Sequence, residues 1–395
     1  MKQFILLITT LFLSSGLFAQ SEQTPQDGFQ FTTVKENPVT SIKNQASSGT
    51  CWCFSGIALI ESELLRAGKG TYDFSEMFIV HKNYQDKAIK YVRMHGETNF
   101  AAGGSFADVI DGIRDYGLVP ETEMAGLNYG ETSHRHGEMD LLLQSYVAAV
   151  IKNKNGKLSP AWFNGYKGII NAYLGECPEK FTYDGKEYTP QSFARSLEIN
   201  PDDYVSLTSF THHPFYSSFP VEVQDNWRWA LSYNLPLEEM MGIIHHAIDE
   251  GHCVAWASDV SEKGFSRNGI AVVPDLEAPE GPGSDQAHWL GLTPTEREKA
   301  ITDAGKPVKE LDVTQEKRQI AFDNYQTTDD HGMLIYGTAK DQNGTIYFLV
   351  KNSWGEKNKY KGTWYASEAF VKYKTLNVVV HKDALSKELK KKLNK

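Results

Sequence analysis

Two stretches rich in β-formers, Met333 to Tyr336 and Thr345 to Lys351, are separated by a segment containing Asn343-Gly344. Asn-Gly between apolar runs is the strongest short-range signal for a β-hairpin, because the favoured two-residue turn needs positive φ at both central positions. Such a hairpin sets His331 and Asn352 at the ends of adjacent strands. Cys253 to Ala257 reads as a further strand, so the last third of the chain turns towards a sheet. Earlier, Cys51 to Arg66 carries a helical pattern with Phe54, Ile57, Ala58 and Leu64 facing inward. Shorter helical stretches follow, including Asp140 to Lys152 and Thr189 to Leu197. Helices first and strands last describe an α+β chain.

With 395 residues, 41% of them hydrophobic, the chain can bury a substantial core, at roughly two or three lobes for ordinary domain sizes. Forty basic against fifty acidic side chains leave a formal charge of -10, which argues against nucleic acid or an anionic membrane surface as the main partner. Lys2, the apolar run Phe4 to Leu13 and the small residues Ser14, Ser15, Gly16 and Ala19 read as an export signal over residues 1–19, with maturation near Gln20. That run falls well short of the ~20 apolar residues that span a bilayer, so no membrane anchor is expected. Four cysteines in a chain of this size are not a disulfide framework. Cys177 and Cys253 either pair or remain buried thiols. At the far end, Leu385, Leu389 and Leu393 recur every fourth residue among Lys387, Lys390, Lys391 and Lys392, the pattern of a surface-docked amphipathic helix.

Two groups of residues carry chemistry. In Gln45-Ala46-Ser47-Ser48-Gly49-Thr50-Cys51-Trp52-Cys53, a thiol opens a helix and a side-chain amide stands six positions before it. A helix N-terminus lowers a thiol's pKa, and the Gln45 amide and Cys51 backbone N–H groups can converge on an oxyanion. Cys53 lies about 200° further round the helix, pointing into the core, and it lacks the second Cys or His pair that zinc requires. The other group is Asp329-Asp330-His331-Gly332-Met333 with Lys351-Asn352-Ser353-Trp354-Gly355. A thiol nucleophile needs an imidazole to take its proton and deliver it to the leaving amine, the role open to His331. Asn352 would accept from the far ring nitrogen and fix the tautomer, while Trp354 shields that bond from water.

In these residues the sequence resembles the papain-like cysteine peptidases, and more closely the bleomycin hydrolase and aminopeptidase C family. The resemblance extends to Gly103-Gly104-Ser105, Arg114 to Pro120, Thr189 to Phe193, Asn234-Leu235-Pro236 and Val254 to Val260. It implies a two-lobed papain-like fold of the α+β class: a helical lobe with Cys51 over residues 20–126, a helical insertion over 127–235, a β-rich lobe with His331 and Asn352 over 236–380, and a basic tail over 381–395. It further implies that Gly103 and Gly104 line the cleft and bond the substrate backbone, and that Trp52 and Trp354 support the site. Peptide substrates, a homo-oligomer of six subunits and no metal or organic cofactor are what such a protein would have. The function this implies is an exported cysteine peptidase working through a thioester, an aminopeptidase whose tail enters the cleft and admits only free N-termini. Its alternatives are an endopeptidase with an ungated cleft and a catalytically silent papain-like binding protein. The chain departs from the family in having Asp330 where threonine is usual, either close enough to raise the pKa of His331 or facing solvent. Its tail is shorter and more basic, and its export signal contrasts with mostly cytosolic relatives.

Overall fold

The computed structural model describes residues 28–262, 264–276 and 305–393 and the single positions 293, 296 and 299; the export segment and the last two residues lie outside them. After β1 (Thr32–Glu36) come α1 (Cys51–Arg66), α2 (Glu76–Arg93) and α3 (Phe106–Tyr116). Helix α2 starts where the Ser75 side chain accepts from the Phe78 N–H, and α3 where Ser105 and Asp108 cap each other. Next are α4 (Gly137–Ile151), α5 (Ala161–Leu174), the small hairpin β2 (Phe181–Tyr183) and β3 (Lys186–Tyr188), and α6 (Pro190–Ser196). The buried side chains of α1, α2, α4, α5 and α6 share one apolar cluster. Helix α1 is buried over nearly all its surface, beyond the face expected from its pattern, because it lies between that cluster and the sheet.

The sheet is built from β4 (Tyr204–Thr208), β5 (Ser218–Pro220), β6 (Leu231–Asn234), β7 (Val254–Ser258), β8 (Phe265–Ser266), β9 (Ile270–Ala271), β10 (His331–Lys340), β11 (Ile346–Lys351), β12 (Thr363–Ser367) and β13 (Thr375–His381). They run in the order β5-β6-β4-β13-β7-β10-β11-β12-β9-β8, with β1 also beside β10. The β10–β11 hairpin pairs Leu334 with Lys351 and Lys340 with Ile346, and Gly344 at its turn has φ 85°. Side chains alternate across the sheet. Val254, Trp256, Met333, Ile335, Phe348, Val350, Val378 and Val380 join one cluster with α7 (Leu237–Asp249). Ala255, Leu334, Leu349 and Val379 face the other way, onto Ala58 and Leu59 of α1. Helix α8 (Gln315–Asp323) precedes β10, and α9 (Glu368–Lys374) packs with α7 on the first face.

Two sequence expectations change. The segment 127–235 is not a separate helical insertion: β4, β5 and β6 belong to the main sheet, and α4, α5 and α6 to the helical lobe's core. These strands are three to five residues long, and β4 pairs β6 in parallel across a long connection, so no local hairpin signal announces them. The tail forms α10 (Lys387–Lys392) and docks, with Leu385 and Leu389 buried. It does so on the α7 face of the sheet, opposite α1, where Leu393 still packs. All four cysteines are free: Cys53 is buried with its Sγ donating to the Glu76 carbonyl at 3.3 Å, and Cys177 and Cys253 sit in different clusters. No described helix is long and apolar enough to cross a membrane.

Candidate active site

The N-terminus of α1, the N-terminus of α3 and the start of β10 meet around one pocket. Cys51, Trp52, Gly104, Ser105, His331 and Gly332 line it from these elements. Close approach is possible because residue 332 is glycine: a Cβ there would stand 2.8 Å from Ser55 Oγ and 3.3 Å from the Trp52 Cα. The sheet side of the pocket is formed by Ser206, Ser232, Ala257 and Asn377, whose strand neighbours Leu207, Tyr233, Trp256 and Val378 face the opposite side. The pocket therefore opens on the α1 face, away from the docked tail.

His331 is buried, and its Nε2 lies 2.8 Å from Asn352 Oδ1 across the β10–β11 hairpin. An amide oxygen accepts only, so Nε2 carries the proton and Nδ1 is left as the basic nitrogen. The Trp354 ring lies 4.7 Å from the imidazole, centroid to centroid. Asn352 Oδ1 also accepts from the Ser353 N–H at 2.7 Å, and Ser353 Oγ donates to Gln45 Oε1 at 2.5 Å. That bond turns the nitrogen end of the buried Gln45 amide away from Ser353, although Gln45 itself does not line the pocket. Trp52 is buried, with Nε1 donating to the Ala102 carbonyl at 3.1 Å.

Charge is costly here for each group taken singly. Burial pushes the Cys51 thiol up to about 11, with the Asp329 and Asp225 charges adding to the rise and the Gly332 and Trp52 backbone N–H groups opposing it. Burial also pushes His331 down to about 4, against the bond to Asn352. The helix N-terminus does not by itself make the thiolate expected from the sequence. Ionisation is favoured only where the proton passes between the two groups, so that each charge stabilises the other.

Of the glycine pair, Gly104 lines the pocket, and a Cβ there would stand 2.7 Å from Asp108 Oδ2 and 3.0 Å from the Trp52 ring. Gly103 is less open than expected: its carbonyl is held by Lys87 Nζ, and a methyl group on it would run into the Asp225 carboxylate. Asp330 takes the second course foreseen for it and is exposed to solvent. Its carboxylate accepts from the Val260 and Ser261 N–H groups at 3.3 and 3.0 Å and from Thr328 Oγ1 at 3.0 Å, tying the 259–261 turn to the start of β10. Sequence reasoning missed Asp225 and singled out no role for Asp329, yet both line the pocket. Their only sequence signal is acidic character in loops, shared with many surface positions.

Residues 27–132 match the papain family cysteine protease profile, and residues 306–395 that of the peptidase C1-like family. Aminopeptidase G of Lactobacillus delbrueckii subsp. lactis is 23% identical over 397 residues, covering 89% of this chain and 83% of its own. Aminopeptidase C of Streptococcus thermophilus is 24% identical over 396 residues, covering 88% and 81%. The crystal structure of PepW from Lactobacillus rhamnosis superposes with a TM-score of 0.65 at 20% identity, over 92% of this chain and 84% of that one. The superposition gives the chain a papain-like fold, and the family profiles and named relatives support a papain-like cysteine peptidase of the bleomycin hydrolase and aminopeptidase C type.

Proposed function

We propose that this chain is an exported cysteine aminopeptidase, with Cys51 as nucleophile, His331 as base and acid, Asn352 as the group that orients the imidazole, and Gln45 as an oxyanion donor. The observation that carries this reading is the His331–Asn352 bond of 2.8 Å at the edge of the pocket that Cys51 lines. Cys51 Sγ attacks the carbonyl carbon as its proton passes to His331. The Cys51 backbone N–H and the Gln45 amide hold the resulting oxyanion. On collapse the C–N bond breaks, and His331 gives the proton to the departing amine. Water, losing a proton to His331, then cleaves the thioester, releasing an acid and restoring the thiol. Trp52 and Trp354 wall the site, and Gly104 offers backbone to the substrate.

The aminopeptidase part of the reading rests on relatives named aminopeptidases along most of the chain. Export rests on the pattern of residues 1–19, and a homo-oligomer on the family resemblance. The test is digestion of one peptide with a free and with an acetylated N-terminus. Residues should leave the free peptide one at a time, the acetylated peptide should stay intact, and Cys51→Ala should abolish turnover. Internal cleavage of the acetylated peptide would decide for an endopeptidase, and no cleavage of either for a silent binder.

A further inference from the structure

The connection between β5 and β6 leaves the sheet and crosses to the helical lobe. Asn226 Nδ2 donates to the Val221 and Ala230 carbonyls at 3.1 and 3.0 Å and closes the crossing segment into a tight loop. Trp227 is buried, its Nε1 donating to Asp108 Oδ2 at 3.2 Å. Arg228 reaches Asp108 at 2.6 Å, Asp86 at 2.8 Å and Asn83 at 2.9 Å, on α3 and α2. The segment is thus a strap that leaves the sheet and is pinned to the helical lobe, and its residues Asp225, Asn226 and Ala230 line the pocket.

Asp225 rides on the strap. Asn99 Nδ2 donates to its Oδ1 at 3.1 Å, and its own backbone N–H bears on the Asp329 carboxylate beside His331. Two carboxylates, one on the β5–β6 connection and one before β10, therefore meet in the pocket that holds Cys51. Among the described residues no cation forms an ion pair with either carboxylate: Lys87 donates to the Ala101 and Gly103 carbonyls, its charge acting on Asp225 from a distance, and Arg228 pairs with Asp86 and Asp108. Burial and the Asp225 charge push Asp329 up to about 7, and burial raises Asp225 too, in spite of the Lys87 charge. We propose that Asp225 and Asp329 form the subsite for the α-ammonium of the substrate's first residue, and that the strap carrying Asp225 closes the cleft beyond it. The inference rests on the aminopeptidase reading and names the internal segment, in place of the tail, as what restricts that activity to free N-termini.

The test uses alanyl-aminomethylcoumarin and its N-acetylated form with the full chain and with Asp225→Asn and Asp329→Asn. The wild type should prefer the free amine strongly, and each variant should lower that preference at least tenfold, chiefly by raising KM for the free substrate. Independently, alanine amide should slow alkylation of Cys51 in the wild type, and N-acetylalanine amide should not; this holds the proposal to account even if a variant fails to fold. A wild type that discriminates while both variants keep its ratio would overturn the subsite and leave the aminopeptidase reading standing. So would equal protection, or none, by the two amides. A wild type that cleaves both substrates alike would overturn the aminopeptidase reading itself.

Discussion

His331 and Cys51 each resist charge on their own, so removing one changes how the other titrates. With His331 present, the proton can pass between them, and Cys51 should be alkylated rapidly at mildly acidic pH while the core thiol Cys53 stays slow. In His331→Ala the lone thiol has only its raised value of about 11, and a raised thiol pKa means thiolate is lost as pH falls below it. Iodoacetamide kinetics from pH 5 to 10 should show a plateau for the wild type, and for the variant a rate that keeps climbing to the alkaline end. On turnover, His331→Ala should cost about 10²–10⁴-fold, the usual worth of a general acid–base. Asn352→Ala should cost less, about 10–100-fold, since it removes one hydrogen bond to a group that becomes charged. Equal kcat losses from the two variants would contradict an orienting role for Asn352.

Gly332 and the strap show how whole elements place these residues. In Gly332→Ala the new methyl group meets Ser55, Phe106 and the Trp52 backbone, so β10 and α1 must separate. Overpacking of this kind costs about 1–3 kcal/mol, and it moves His331 away from Cys51. Denaturant melts and kcat/KM should both fall. Arg228→Ala strands Asp108, which is fully buried, without its guanidinium partner. Breaking a buried pair on one side costs about 3–5 kcal/mol. The loosened strap should let the variant that remains folded accept acetylated peptides, read as new internal cleavage by mass spectrometry.

At the scale of the whole molecule, the sheet separates the described part of the tail, up to Leu393, from the pocket. Two buried leucines, Leu385 and Leu389, hold α10 against the α7 face. Deleting residues 385–395 should therefore lower stability by about 3–6 kcal/mol for the two side chains and reduce Tm. The ratio of activity on free and acetylated substrates should stay as it was. A deletion that released activity on acetylated peptides would restore the tail as the gate.

Local order determined what was legible. The span of α1 follows from its apolar period and its thiol-bearing entrance, and the β10–β11 hairpin from Asn-Gly between β-rich runs; both are relations among neighbours in the chain. The hairpin alone brings His331 within a hydrogen bond of Asn352. Tertiary structure decided the rest, because it depends on contacts between segments more than a hundred residues apart. Strands as short as β5 and β6 form only when a sheet is there to receive them. Asp225 reads as an ordinary loop acid until Arg228, 120 positions from Asp108, pins its strap across the cleft. Which face of the sheet the tail would cover was equally unreadable: the spacing of Leu385 and Leu389 gives α10 an apolar side, and only the apolar cluster around α7 decides where that side is buried.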